Sequence, residues 1–314
     1  MFKPSLRPPY NHFLLAETQR DRIGVVLVSP RNPLNIGAAA RAMANFGFSR
    51  LAVVAPYAPH WREARSAIGA PELLQNAKES ATLAEAVAGC TLVAGTATLT
   101  YRKPIQRVVR LPELGPLVRR ELERGGRVAV VFGPEKHGLT REDLSYCHVL
   151  VEIPTDPRQP SMNLGQAVAV CLYELASRMF LAEGVEPGVA PAQNAKEGQI
   201  AGDQPKNIPS GAKAQDDFAG LMYGLKPVSF TQQPVPFNDG SVPAAASGSL
   251  ERLAGVVEET MIAAGYSPSS MRKANRHDLR LLLRRLAPTE RETRRILGLF
   301  RRILWRLTRV SKRD

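Results

Sequence analysis

Five short runs of this sequence are apolar throughout rather than alternating: IGVVLV (23–28), RLAVVAP (50–56), CTLVAG (90–95), RVAVVF (127–132) and HVLVEIP (148–154). A strand with one wet face alternates polar and apolar residues. A strand that is apolar at successive positions is covered on both faces, which a parallel sheet between two helical layers provides. Helical patterns fall between the runs, at AAARAMANF (38–46), TLAEAVA (82–88) and LGPLVRRELER (114–124). The expectation is an α/β fold over residues 22–181: a parallel sheet with helices on both faces, closed by a helix from Asn163 to about Phe180.

The rest of the chain divides by composition. Residues 1–21 form an N-terminal extension. Residues 182–248 hold eight of the 25 prolines and show little periodicity. Such a segment cannot bury enough apolar surface to offset its ordering entropy, so it reads as a flexible linker, with FAGLMYG (218–224) as a stretch that docks locally. A linker of that length implies that whatever follows reaches its target loosely. From Ser249 to Asp314 helical periodicity returns, with Gly265 as a stop and Thr289 and Glu292 as a T-x-x-E capping box. The last helix places Ile296, Leu299, Phe300, Ile303, Leu304 and Leu307 on one stripe and its arginines elsewhere. This is a small all-α C-terminal domain, basic on its outside.

Charge separates the two regions. Residues 271–314 carry 15 Lys/Arg against 4 Asp/Glu, so nearly all of the net charge of +13 sits there. A near-neutral body with a basic tail points to a polyanion, nucleic acid before membrane lipid, or else to a plain solvated helix face. No apolar run approaches the roughly 20 residues of a membrane span, and the first twenty residues lack a signal-peptide core, so a cytoplasmic location is expected. Cys90, Cys147 and Cys171 form no CxxC pair and have no histidine cluster nearby; they are expected to be core residues, with neither disulfide nor metal.

Three loops at strand ends have unusual composition, and open parallel sheets bind ligands at such ends. The first, SPRNPLNIGAAARAM (29–43), lacks G-x-G-x-x-G and a following ribose-binding acid, which disfavours a dinucleotide site. Asn35 and Gly37 instead open a helix with Arg41 inside it, an arrangement able to hold a phosphate, or else a plain cap and a surface charge. In the second, AGTATLT (94–100), glycine allows close approach of a flat ligand. The third joins VFGPEKHGL (131–139) to IPTDPRQPSMNLGQAVAV (153–170).

Taken together, N-x-G-x-x-x-R at Asn35–Arg41, F-G-P-E-x-x-G-L at Phe132–Leu139 and I-P…S-M-N-L-G-Q-A-V at Ile153–Val168 resemble the three motifs of the SpoU branch of SPOUT methyltransferases, in the family's order. G-Y-x-P at 265–268 and R-R-L at 284–286 further resemble the helical tail of the TrmJ subfamily, which methylates the 2′-hydroxyl of a pyrimidine at position 32 of the tRNA anticodon loop. The resemblance implies a trefoil knot over roughly residues 130–170. It also implies an S-adenosyl-L-methionine (SAM) pocket made of Thr96, Ala97, Thr98, Gly133, Ile153, Pro160, Ser161 and Met162. Arg41 becomes the catalytic residue, with Asn35 and Ser161 beside it. Glu135 and Asn163, and Arg284, Arg285, Arg301 and Arg302 in the tail, become RNA-binding or structural. The implied assembly is a homodimer that joins Arg41 of one subunit to SAM held by the other. tRNA is the implied partner; no membrane, DNA or metal is implied.

An arginine hardly deprotonates, so an electrostatic role for Arg41 is preferred over that of a base. Three readings compete with this one. A ribosomal-RNA methyltransferase would share the catalytic motifs and lack the tail. An RNA-binding protein that had lost catalysis would not bind SAM. A dehydrogenase fails on the missing glycine fingerprint.

Overall fold

A computed structural model describes residues 15–97, 104–178 and 242–310. Thr98, the 218–224 stretch and the N-terminal extension up to residue 14 lie outside the described residues. In chain order the elements are α1 (Glu17–Arg20), β1 (Ile23–Val28), α2 (Pro33–Asn45), β2 (Arg50–Val54), α3 (Pro71–Gln75), β3 (Lys78–Ser80), α4 (Leu83–Val87) and β4 (Leu92–Thr96). There follow β5 (Arg107–Arg110), α5 (Leu111–Glu123), β6 (Val128–Phe132), α6 (Arg141–Ser145), β7 (Val149–Glu152) and α7 (Leu164–Arg178). Three helices complete the set: α8 (Ser247–Ala263), α9 (Arg272–Leu286) and α10 (Glu290–Val310).

All seven strands run parallel, in the order β3-β2-β1-β6-β4-β7-β5. The five expected strands are present within two residues of their sequence bounds. Burial explains their composition: Ile23, Val25 and Leu27 of β1 pack with residues of α2, α5 and α7 on one face. Val26 and Val28 pack with Leu83 and Val87 of α4 on the other. The three cysteines are buried and free.

The sequence reading missed β3 and β5. They are the two sheet edges, three and four residues long, with charged or exposed residues at most positions (KES and RVVR). An edge strand has one neighbour and half its backbone in solvent, so no apolar run marks it.

The C-terminal helices are not loosely tethered, contrary to the expectation from linker length. They belong to the same compact unit as the α/β body. α8 begins two residues before the boundary read from sequence, and its first two residues are anchored to the body. The backbone N–H groups of Ser247 and Gly248 donate to the carbonyls of Cys90 and Ala88, both at 2.9 Å. The Arg280 guanidinium lies 4.2 Å over the Tyr146 ring and 3.7 Å from Glu142, and Arg284 Nε donates to the Tyr146 carbonyl at 3.0 Å. Inside the helical layer, Arg276 is bound by Glu258 at 2.5 Å and Glu251 at 3.1 Å, and Glu258 is fully buried.

The capping box forms as read: Thr289 N donates to Glu292 Oε2 at 2.7 Å and Glu292 N to Thr289 Oγ1 at 3.3 Å. Gly265 stops α8 with φ of +70°. The apolar stripe of α10 is only partly used, because Leu299 and Ile303 remain 58% and 38% exposed. Among the described residues no helix is long and apolar enough to cross a membrane.

Candidate active site

Because every strand is parallel, the loops after β1, β4, β6 and β7 emerge on one edge of the sheet. Those strands are neighbours in the order β1-β6-β4-β7, at the place where the chain turns from building one side of the sheet to the other. Crevices of open α/β sheets lie at such switch points.

The first loop is held by a side chain from the third region. Glu135 accepts the backbone N–H groups of Arg31 at 3.1 Å and Asn32 at 3.2 Å, and the Asn35 amide Nδ2 at 2.8 Å. Asn35 Oδ1 then accepts Asn163 Nδ2 at 3.0 Å, and Asn163 Oδ1 accepts the N–H of Gly165 at 2.9 Å at the start of α7. One relay of donors and acceptors therefore ties all three motifs together. Its direction is set at both ends: a carboxylate only accepts, and the free N–H groups of a helix start only donate.

Two expectations about this region change. Asn35 does not cap α2; Asn32 does, its side chain accepting the Leu34 N–H at 2.9 Å. The N-terminus of α2 was also read as a phosphate holder, but the anion beside it is the protein's own Glu135. The positive end of a helix favours a carboxylate as readily as a phosphate. Just ahead of this contact Ser29 takes φ of +45°, a strained conformation for a residue with a side chain, which turns the chain out of β1.

Burial alone would raise the Glu135 carboxyl. The bonds from Asn35, from its own backbone N–H, and from Arg31 and Asn32 outweigh that and hold it below the usual carboxylate range. The sign follows. A depressed folded value contributes stability that is complete above the ordinary glutamate value of about 4.3 and is lost as pH falls through the folded one. Glu135→Ala is expected to lower unfolding stability by about 1–3 kcal/mol at neutral pH, since it strands several donors. The deficit relative to wild type should shrink in denaturant titrations below about pH 4. A deficit that does not change with pH means the carboxylate charge is not what holds the loops.

A cavity of about 760 Å³ opens beside the relay. Thr96, Ala97, Gly133, Ile153, Pro160, Ser161 and Met162 all line it, with Glu135 at its wall. The sequence-expected cofactor residues are thus brought together, apart from Thr98, which lies outside the described residues. Thr96 has a further role: its hydroxyl donates to the Val131 carbonyl at 3.0 Å and ties β4 to β6. Gly95 does not admit a flat ligand as expected. A Cβ there would lie 2.5 Å from Cys147 Sγ, so its missing side chain makes room for a core cysteine.

Gly133 must be a glycine for its loop to close on itself, because a Cβ would stand 2.2 Å from the Leu139 nitrogen and 2.3 Å from the Gly138 carbonyl carbon. Arg110 and Glu152, register partners at the ends of β5 and β7, also line the cavity and were missed. Recognising them required the edge strand that sequence patterning did not reveal. The walls fit SAM. Val151, Ile153, Met162, Leu164 and Ala167 offer an apolar slot for a purine, and Gly133 and Gly138 put side-chain-free backbone on the wall. Among the described residues no group of His, Cys, Asp or Glu could hold a metal ion.

Arg41 stands apart. It is exposed on α2, forms no ion pair or hydrogen bond among the described residues, and does not line the cavity. Six steps of helix carry it about 9 Å along the axis from Asn35 and leave it about 120° away around the helix. Ser161 is exposed at the cavity rim. In the tail, Arg285, Arg301 and Arg302 face solvent, whereas Arg284 is 6% exposed and engaged with the body. Arg284 therefore spends its Nε and Nη1 on the body and does not face bulk solvent as the other three arginines do.

An open parallel sheet with a glycine-bounded cavity at its switch point, beside three motif segments tied by one relay, defines an α/β protein with a ligand crevice at its strand ends. The pattern of the SpoU rRNA Methylase family matches residues 22–173, and the chain belongs to that family. Over 165 residues it is 43% identical to a protein of Pseudomonas aeruginosa named tRNA (cytidine/uridine/adenosine-2′-O-)-methyltransferase TrmJ. That match covers 52% of this chain and 64% of the relative, so this chain spans just under two thirds of it. Over 158 residues it is 39% identical to the tRNA (cytidine-2′-O-)-methyltransferase TrmJ of Methanocaldococcus jannaschii, covering 50% of this chain and 68% of the relative. The crystal structure of TrmJ from Z. mobilis superimposes with a TM-score of 0.63 at 26% identity, covering 89% of this chain and 98% of that one.

Proposed function

We propose that this chain transfers the methyl group of SAM to the ribose 2′-hydroxyl of a pyrimidine nucleotide in tRNA, at position 32 of the anticodon loop. The observation that carries the proposal is the relay Glu135–Asn35–Asn163, which ties the three motif segments together beside a glycine-bounded cavity with an apolar slot and charged residues on its wall. The names of the relatives supply the substrate class.

SAM, when bound, supplies an electrophilic methyl group. The protein's part is to orient the ribose hydroxyl in line with it and to favour loss of the hydroxyl proton. Gly133, Ile153, Pro160, Met162 and Ala97 hold the cofactor, Ser161 meets the nucleotide at the rim, and Asn35 and Glu135 keep the loops in register. Arg41 steadies the phosphate next to the reacting ribose and the charge that develops on its oxygen. Its guanidinium stays protonated throughout.

Arg41 is away from the cavity of its own chain, which supports a homodimer in which it serves the partner's cofactor. Leu34 on α2 and Val170 and Tyr173 on α7, helices that pack on each other, are 55%, 39% and 52% exposed and fit a subunit interface. We read residues from roughly 130 to 170 as a trefoil knot; the position of β4 between β6 and β7 in the sheet supports this. The helices from Ser247 onward serve as the tRNA-binding domain, and the protein works in the cytoplasm. Seven arginines of α10 lie on or beside its outer face with Trp305, which is 56% exposed.

The test is methyl transfer from labelled SAM to total tRNA and to ribosomal RNA, with the product nucleoside mapped. A 2′-O-methyl pyrimidine in the anticodon loop is expected; methylation of ribosomal RNA alone would replace the substrate. For the tail, Arg301→Glu with Arg302→Glu should weaken tRNA binding at least tenfold and flatten its salt dependence by about one unit of log–log slope per arginine, with SAM affinity unchanged. An RNA affinity indifferent to both changes removes the tail from the binding site.

A further inference from the structure

A second cavity, of about 620 Å³, lies on the seam between α9 and the β5 edge of the sheet. Ile105, Leu281 and Leu282 give it apolar walls, and Ile105 is 69% exposed at its mouth. His148 and Arg284 also line it; Arg284 is buried, and His148 is half-buried with its Nε2 shielded.

Each of these two residues carries a donor with no partner. His148 Nδ1 accepts the Val93 N–H at 3.0 Å, so Nδ1 bears no proton. Burial, then the nearby Arg284 charge, holds the ring down to about 3, so the imidazole is neutral and its single proton sits on Nε2. That Nε2–H is buried and unpartnered. Arg284 spends Nε on the Tyr146 carbonyl at 3.0 Å and Nη1 on the Arg280 carbonyl at 3.2 Å, which leaves Nη2 buried and unpartnered. No carboxylate pairs with Arg284 among the described residues. A buried guanidinium N–H with no acceptor, beside a shielded imidazole N–H with none, costs free energy that a bound acceptor recovers.

We propose that this cavity is a second ligand site, which takes the phosphate of a nucleotide on His148 Nε2–H and Arg284 Nη2 and its sugar and base on Ile105, Leu281 and Leu282. Charge selects the phosphate. Arg107, Arg284 and Arg285 against Asp278 leave two positive charges on the wall, matching a phosphate monoester of about −1.5 to −2. One water could satisfy both donors, but it has no use for a cavity of about 620 Å³ with an apolar wall. The site is built from residues that take no part in the cofactor cavity, and it joins the basic tail to the sheet. A nucleotide bound there bridges the two. Either a free nucleotide or a phosphodiester of RNA presents this chemistry.

The test is calorimetric titration of the full chain with inorganic phosphate, cytidine 5′-monophosphate, cytidine and the dinucleotide CpC. The monophosphate and inorganic phosphate should bind saturably, and cytidine at least tenfold more weakly. Ile105→Asp and Arg285→Glu, both at exposed positions, should each weaken the monophosphate at least tenfold with no change in thermal unfolding. CpC binding as tightly as the monophosphate assigns the site to RNA; rejection of CpC assigns it to a free nucleotide. The proposal is overturned if no phosphate probe binds, if cytidine binds as well as its phosphate, or if both substitutions leave affinity intact.

Discussion

Arg41→Ala is expected to reduce methyl transfer to tRNA by two to three orders of magnitude while SAM affinity stays within about twofold, the range for removal of one group that acts on the transition state. The separation of the two effects follows from geometry. Arg41 is exposed on α2 and lies outside the 760 Å³ cavity that fits the cofactor. In the proposed role its loss removes a charge from beside the reacting ribose; it leaves the Glu135–Asn35–Asn163 relay whole, so the unfolding transition should not move. Arg41→Lys should recover only a small part of the rate, because an ammonium cannot reproduce the two-pronged grip of a guanidinium on phosphate. A dimer reconstituted from Arg41→Ala subunits and subunits defective in SAM binding should regain activity in one of its two sites. A variant that keeps full activity, or that loses SAM binding in parallel with activity, contradicts this assignment.

Gly133→Ala is the second large effect. The added methyl would meet two backbone atoms at 2.2 and 2.3 Å, and neither belongs to a side chain able to swing away. The loop behind them is itself fixed. The Gly138 N–H donates to the Pro134 carbonyl at 2.9 Å, Gly138 sits at φ of +63°, Leu139 is fully buried, and Glu135 is held by Arg31, Asn32 and Asn35. Relief therefore requires the loop to move as a body and to release Glu135. Unfolding stability should drop by about 1–3 kcal/mol, as for overpacking elsewhere. SAM affinity should fall at least thirtyfold in calorimetric titration. Gly89→Ala is the control: a Cβ there has open space, and the substitution should be neutral or slightly stabilising. A folded Gly133→Ala protein with unaltered SAM affinity would falsify the cofactor assignment of this cavity.

The sequence exposed those parts of the fold in which burial repeats along the chain. β1, β6 and the centres of β2, β4 and β7 are covered on both sides, and their residues are apolar at nearly every position. The edges β3 and β5 have no such repetition and were invisible, and Arg110 was lost with β5. Site residues were legible as far as short motifs carried them: seven of the expected cofactor residues converge on one cavity. Their partners were not legible, because Glu135 and Asn35 are 100 positions apart and Asn35 and Asn163 are 128 apart. Nothing in local spacing distinguishes a carboxylate that binds ligand from one that docks on a helix start.

The tail divides in the same way. Its basic character, capping box and helix stop are local properties, and residues 271–314 alone determine them. That α9 is clamped to the sheet through Tyr146, with Arg284 turned inward and Arg285 outward, was decided by packing between segments more than 130 residues apart. By itself, then, the sequence determined the layered parallel sheet, the chemistry at its loop ends and the charge of its tail, since each is written in short-range composition and period. The tertiary structure decided which of those polar groups face one another, which are spent holding loops and helices in place, and which two buried donors at the α9 seam are left without a partner, since these depend on long-range neighbours that no local pattern encodes.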